Sequence, residues 1–265
     1  LLTPPGVEPH GYVPDEKALE RIRNADIFIF TGEGMEAWAP AVVSSLDASR
    51  VIVIEGFKVA GDKMISGSVA DAEKDEMNHT GIDPHIWLDF SIDLLMVDAI
   101  LAALCTKDPA STDYYTSNAQ IYRTRLIQLD TKYRETLSRC GYNTILYTGH
   151  YAMGYLCARY RLRLYSPYRD FTPYPEPSPR SMAGLSLKAG YLGARYFFYG
   201  ELSEPEAARI IAVETGATVL LFHCAHNLSQ KEFDSGMDFM RLMDENLDRL
   251  KTGLEYRKPA PPVEE

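Results

Sequence analysis

Between residues 113 and 140 the sequence DYYTSNAQIYRTRLIQLDTKYRETLSRC contains neither glycine nor proline. Tyr115, Ala119, Tyr122, Leu126, Leu129, Tyr133 and Leu137 recur at intervals of three or four, which is one face of an α-helix. At 1.5 Å per residue such a helix spans roughly 40 Å. A single small lobe does not need so long an element. An element of that length is suited to run between two lobes.

The sequence on either side alternates between strand-like and helix-like runs. DEKALERIRNAD has helical spacing and IFIF (27–30) reads as a buried strand. EAWAPAVVSSL is a helix, RVIVIEG a second strand and SIDLLMVDAILAALC another helix. Residues 58–80 carry no periodicity and read as a surface loop. Beyond Gly141, NTILYTG, LRLYSPY, ARYFFYG and TVLLFH read as strands. YAMGYLCARYR, RSMAGLSLKAGYLG and SEPEAARIIAVETG read as helices between them. DFTPYPEPSP holds four prolines in ten residues and is irregular. Residues 233–254 are expected to close the fold as one helix, and 259–265 form a disordered tail. Alternating strands and helices point to an α/β fold whose mainly parallel sheets are flanked by helices.

The formal charge is -10 over 265 residues, which disfavours nucleic acid and anionic membranes and mildly attracts cations. No apolar run reaches the roughly 18 residues of a membrane span, and no signal peptide is visible. The opening LLTPPG reads as a strand end entering a turn. The four cysteines, Cys105, Cys140, Cys157 and Cys224, form no CxxC pair. They read as buried free thiols, and no disulfide pairing follows from them.

Four histidines occupy comparable places. His150 ends ILYTG and His223 ends TVLLF, while His10 follows TPPGVEP and His85 follows GIDP. In open α/β sheets ligands bind beyond the carboxyl ends of the strands. Two lobes facing one another would bring all four imidazoles into the cleft, making His10, His85, His150 and His223 the candidate metal ligands. His79 and His226 read as ordinary loop residues, with His226 the first replacement if one assignment fails. No local metal motif such as HExxH is present.

At these residues the chain resembles the zinc and manganese receptors of bacterial ABC transporters, the cluster A-I solute-binding proteins. PPGVEPHGYVP, GIDPHIWLDF and YTGHYAMGYL resemble the family's first three ligand turns, and GIDPHIWLDF is the most specific of them. EPSPRSMAGL and GELSEPEAARIIAVETGATVLLFH resemble the segments that follow. The resemblance covers residues 1 to 254. It implies two α/β lobes, 1–112 and 140–258, joined by one long rigid helix over 113–139, with the metal in the interlobe cleft. The first lobe is expected to lack its first strand–helix–strand.

Carried over, His10, His85 and His150 hold the first three ligand positions. Histidine at the third is the zinc-type choice. His223 stands where the family usually has Asp. The His-rich loop common among zinc members is missing from 58–80. The resemblance also implies a monomer that is periplasmic, or lipid-anchored at the outer face of the cytoplasmic membrane. Its partner would be a membrane ABC permease.

Four imidazoles suit tetrahedral Zn²⁺. Mn²⁺ prefers carboxylates and water and fits less well. Glu8, Glu176 and Glu201 are nearby carboxylates that would ligate or orient a histidine, Glu201 above all. The function expected is capture of zinc as a transported ligand, without catalysis. Three other readings are compatible with the residues. One is a metallohydrolase, in which an open zinc position holds water and Glu201 or Glu176 is the base. Another is a surface adhesion protein on the same fold. The third is a receptor for a different ligand, using Arg169, Tyr174 and Arg180.

Overall fold

The computed structural model describes residues 2–65, 81–168, 171, 177–201 and 206–257. IFIF forms β1 (Ile27–Phe30), which pairs in parallel with β2 (Ile52–Glu55), Ile27 opposite Ile52 and Phe30 opposite Glu55. Alternation turns Phe28 and Phe30 to one face. There they pack with Ile22 of α1 (Glu16–Arg23), Ala39 of α2 (Ala39–Ser44) and Val51. Asp15 caps α1 by accepting the Ala18 N–H at 2.8 Å. α3 (Gly56–Ala60) follows β2 directly, so the chain is helical where the sequence reads as the start of a loop at Lys58.

The second lobe holds β3 (Thr144–Leu146), β4 (Arg163–Tyr165), β5 (Tyr196–Tyr199) and β6 (Thr218–Leu221). β3–β4 and β5–β6 are parallel pairs, joined by a parallel bridge from Tyr147 to Phe198. The resulting order is β4-β3-β5-β6, and all carboxyl ends lie at one edge. α6 (Gly154–Tyr160), α7 (Pro179–Leu192) and α8 (Glu206–Thr215) connect the strands. α7 begins with Ser178 accepting the Ser181 N–H and proline in its first turn, and ends at Gly193 with φ +58°. The final element is not one helix. Gly236, at φ +72°, separates α9 (Gln230–Asp234) from α10 (Phe239–Gly253).

α4 (Phe90–Lys107) runs beside α5 (Thr112–Leu137), the long helix read from the sequence. Only the C-terminal half of the predicted apolar stripe is fully buried, namely Leu126, Leu129, Tyr133 and Leu137. Tyr115 and Ala119 are half-buried and Tyr122 is exposed. The buried half packs into one continuous core drawn from both sides of α5. Leu88, Phe90 and Ile92 come from the first side, and Ile145, Phe198, Phe222, Met243 and Leu247 from the second.

Polar contacts reinforce that junction. The Tyr133 hydroxyl donates to the Met243 carbonyl at 2.6 Å. Arg159 of α6 donates bidentately to Asp130 of α5 at 2.8 and 2.7 Å, and to Asp89, the cap of α4, at 2.8 Å. A planar guanidinium is suited to this two-carboxylate clasp. The two lobes are therefore packed against one another through α5 rather than joined by a free hinge.

Among the described residues no helix is long and apolar enough to cross a membrane. All four cysteines are free. His79, Arg169, Tyr174, Glu176 and the tail 259–265 lie outside the described residues, and Arg180 stands in the exposed first turn of α7.

Candidate metal centre

Three of the site histidines are held in the same way. His10 lies in a short 3₁₀ turn, Pro9–Gly11, and Glu8 Oε1 accepts its main-chain N–H at 3.2 Å and its ring Nδ1 at 2.7 Å. Asp83 Oδ1 accepts the His85 main-chain N–H at 3.0 Å and its Nδ1 at 2.6 Å. Glu201, at the end of β5, uses Oε1 for the His226 main-chain N–H at 2.9 Å and its Nδ1 at 3.0 Å. One carboxylate oxygen thus fixes both the backbone and the ring of each histidine. The ring proton is held on Nδ1, and the Nε2 lone pair is free to bind.

Those lone pairs converge. His150, four residues beyond β3, places Nε2 3.3 Å from His85 Nε2 and 3.1 Å from His226 Nε2. His10 Nε2 is buried without a hydrogen-bond partner. The four rings offer ligand atoms all within 4.8 Å of one another. With metal–nitrogen bonds of ~2.0–2.1 Å, a tetrahedron sets its nitrogens ~3.3–3.4 Å apart. The two His150 separations, 3.3 Å to His85 and 3.1 Å to His226, lie near that edge. Without metal, an Nε2–H on His150 can donate to the Nε2 of His85 or His226, and a cation at the centre displaces that proton.

His223 is not among the four converging rings, and His226 stands where the sequence reading placed His223. Asn246 accepts the His223 N–H at 2.9 Å and donates to its carbonyl at 2.7 Å, pinning the residue to α10. His223 Nδ1 accepts the Ala225 N–H at 3.0 Å, so its proton sits on Nε2, 3.7 Å from Glu232 Oε1. That is the opposite tautomer from the one the three braced rings present. Ala225, at φ +60°, turns the chain and delivers His226 instead. Glu201, which the sequence left open between ligand and support, stands behind His226. It also accepts the Cys224 N–H at 2.8 Å.

Burial, and then the neighbouring imidazoles, hold His85 and His150 well below the ordinary histidine value. Both rings are therefore neutral at pH 7. Burial works against the Glu201 carboxylate, but the His226 and His223 rings and hydrogen bonds outweigh it and bring its pKa to about 2. Glu8 is likewise lowered, burial being outweighed by the bond and charge of His10 and by His226. His10, His85 and His226 thus each stand one hydrogen bond from an acidic side chain.

The Asp83 support depends on a glycine. A Cβ at Gly154 would come within 2.3 Å of Asp83 Oδ2, in a fully buried position. Gly154→Ala is expected to push Asp83 off His85 and to destabilise the chain by about 1–3 kcal/mol, read by urea unfolding of the metal-free protein.

The family described as zinc-uptake complex component A, periplasmic (ZnuA), matches residues 1–253. The chain belongs to this family. The high-affinity zinc uptake system protein ZnuA of Bacillus subtilis is 31% identical over 258 residues, which is 96% of this chain and 80% of that protein. The zinc-binding protein AdcA of Streptococcus pyogenes is 28% identical over 95% of this chain, but the match spans only 50% of that longer protein. The crystal structure of the Zn(II)-bound ZnuA-like domain of Streptococcus pneumoniae AdcA superposes with a TM-score of 0.74. It is 27% identical and covers 95% of this chain and 88% of that one. The two-lobe α/β fold expected from the sequence is therefore that of the ZnuA family.

Proposed function

We propose that this chain captures zinc between its lobes and delivers it to a membrane ABC permease. It does so as a periplasmic or lipid-anchored monomer divided at the long helix, 1–112 before it and 140–258 after it. The observation that carries this reading is the convergence of four histidines, three of them braced so that Nε2 faces the centre. His10, His85, His150 and His226 are the ligands in this reading, and His223 is a buried structural residue. A nitrogen cage favours Zn²⁺ over Mn²⁺. Ligand names among the relatives, a zinc uptake protein and a Zn(II)-bound domain, agree with it.

A metallohydrolase needs an open coordination position for water. Four protein nitrogens fill a tetrahedron and leave none. The role is therefore capture without turnover. Packing of both lobes onto α5 favours a small closure, felt mainly in the loops that carry the ligands.

The test is elemental analysis of protein purified without added metal, followed by zinc titration against a competing chelator. One zinc per chain, with manganese bound far more weakly and no ester or phosphate hydrolysis, is the expected result. A chain that takes up no zinc would overturn the proposal. Metal binds the neutral ring, and His85 and His150 stay neutral below the ordinary histidine value. Metal competes with protons for the imidazoles, whose reference pKa is ~6.5, so affinity should fall as the pH drops from about 7 to about 5. A dissociation constant that is flat across that range would remove the imidazole cage.

A further inference from the structure

The four histidines are not equally anchored. His85 is fully buried, in a segment tied down on several sides. The Trp87 indole donates to the Cys224 carbonyl at 2.7 Å, and the Tyr155 hydroxyl donates to the Asp83 carbonyl at 3.1 Å. His10 sits in a surface turn near the start of the described chain. Among the described residues, apart from bonds within the turn itself, the hydrogen bonds from residues 4–9 run to two residues of the other lobe. Asn227 Nδ2 donates to the Pro4 carbonyl at 2.6 Å and to the Val7 carbonyl at 2.9 Å. The Gly6 N–H donates to the Leu228 carbonyl at 2.7 Å. Asn227 directly follows His226.

We propose that Asn227 is the latch of the site: its side-chain amide holds the turn carrying His10 against the loop carrying His226. Release of the ion then proceeds by opening of that turn. The inference rests on the zinc-capture reading for its consequence, but the latch itself is a contact of the metal-free protein.

Three features favour this place for opening. The contact consists of a few bonds at the surface, whereas the joint at α5 is a continuous apolar core. Local openings take the path with least buried apolar area. A cleft of 290 Å³ also borders it, with Pro9, Trp87, His226 and Asn227 in its wall, so a turn swinging away exposes the ion to solvent there. Finally, His10 carries its own carboxylate, Glu8, within the same turn, so the turn can move without breaking that pair. Asn227 is a positioning residue in this scheme and touches no metal.

The amide oxygen of Asn227 also accepts the Leu228 N–H at 2.8 Å, which supplies a control. Asn227→Ala removes both functions, whereas Asn227→Asp keeps the acceptor and loses the two donors. The metal-free proteins are compared by hydrogen exchange over residues 4–11. Both variants should lose protection at the Gly6 N–H. Zinc-loaded wild type and Asn227→Ala are then mixed with excess chromophoric chelator. Two lost hydrogen bonds should raise the zinc dissociation rate about tenfold, with the association rate nearly unchanged.

Unchanged exchange in Asn227→Ala would overturn the latch. So would wild-type protection in Asn227→Asp, since the residue would then only be capping Leu228. Faster exchange with an unaltered dissociation rate would remove the turn as the exit. A wild-type chain that binds no zinc would defeat the capture reading while leaving the exchange result intact.

Discussion

His85→Ala is expected to abolish high-affinity zinc binding and to weaken the metal-free fold as well. The ring is fully buried and contributes one of the four converging nitrogens. Removing a carboxylate behind a metal-bound histidine typically costs roughly 10–100-fold in affinity. Removing the ligand itself should cost more than that, so the variant should fall outside the range of a chelator that competes with wild type. The substitution also strands Asp83. Its Oδ1 keeps only the main-chain N–H of residue 85, and its Oδ2 already lacks a partner. Breaking a buried, hydrogen-bonded ionisable pair destabilises by about 3–5 kcal/mol when a charge is left behind. Burial pushes the Asp83 carboxyl well up, so it can accept a proton instead, and the cost should lie below that range. Urea unfolding without metal measures this cost separately. The zinc-dependent rise in melting temperature seen with wild type should vanish. A variant that retains that rise would show that His85 is not a ligand.

The parts of the site readable from sequence are those set by local chemistry. Glu8 was legible as a nearby carboxylate; Asp83, which braces His85, was missed, although it stands in the same acid–Pro–His spacing that lets one oxygen reach both the ring and the main chain. His150 was legible because it follows a strand whose apolar run stops abruptly. The long helix was legible because neither glycine nor proline interrupts it, although its first half lies half-buried or exposed. The fourth histidine was not legible. Two histidines stand three residues apart at the end of β6, and neither has an acid two residues before it. The choice between them is made by a positive φ at Ala225, by Asn246 some twenty residues downstream and by Glu201 from the neighbouring strand. Such contacts are tertiary and leave no periodic mark. The break at Gly236 escaped for a related reason: a single glycine inside an apolar pattern does not say whether it is tolerated or ends the helix.

That choice between neighbours gives the second large effect. His226→Ala should lower zinc affinity by far more than 100-fold, whereas His223→Ala should change it only a few-fold. Glu201 still accepts the main-chain N–H groups of residues 224 and 226, so the loop that carries residue 226 keeps its shape while the ligand is lost. The metal-free protein should lose stability as well, because the buried Glu201 carboxylate loses its bond to the His226 ring. His223→Ala should cost stability while sparing zinc. It deletes a 1%-exposed ring and leaves the Ala225 N–H without its acceptor, at a cost of about 1–3 kcal/mol in unfolding free energy. Zinc affinity should therefore separate the two variants, His226→Ala losing it and His223→Ala keeping it. If His223→Ala instead lost zinc while His226→Ala held it, the tautomers would be assigned the wrong way round. The turn at Ala225 would then have to reverse on metal binding.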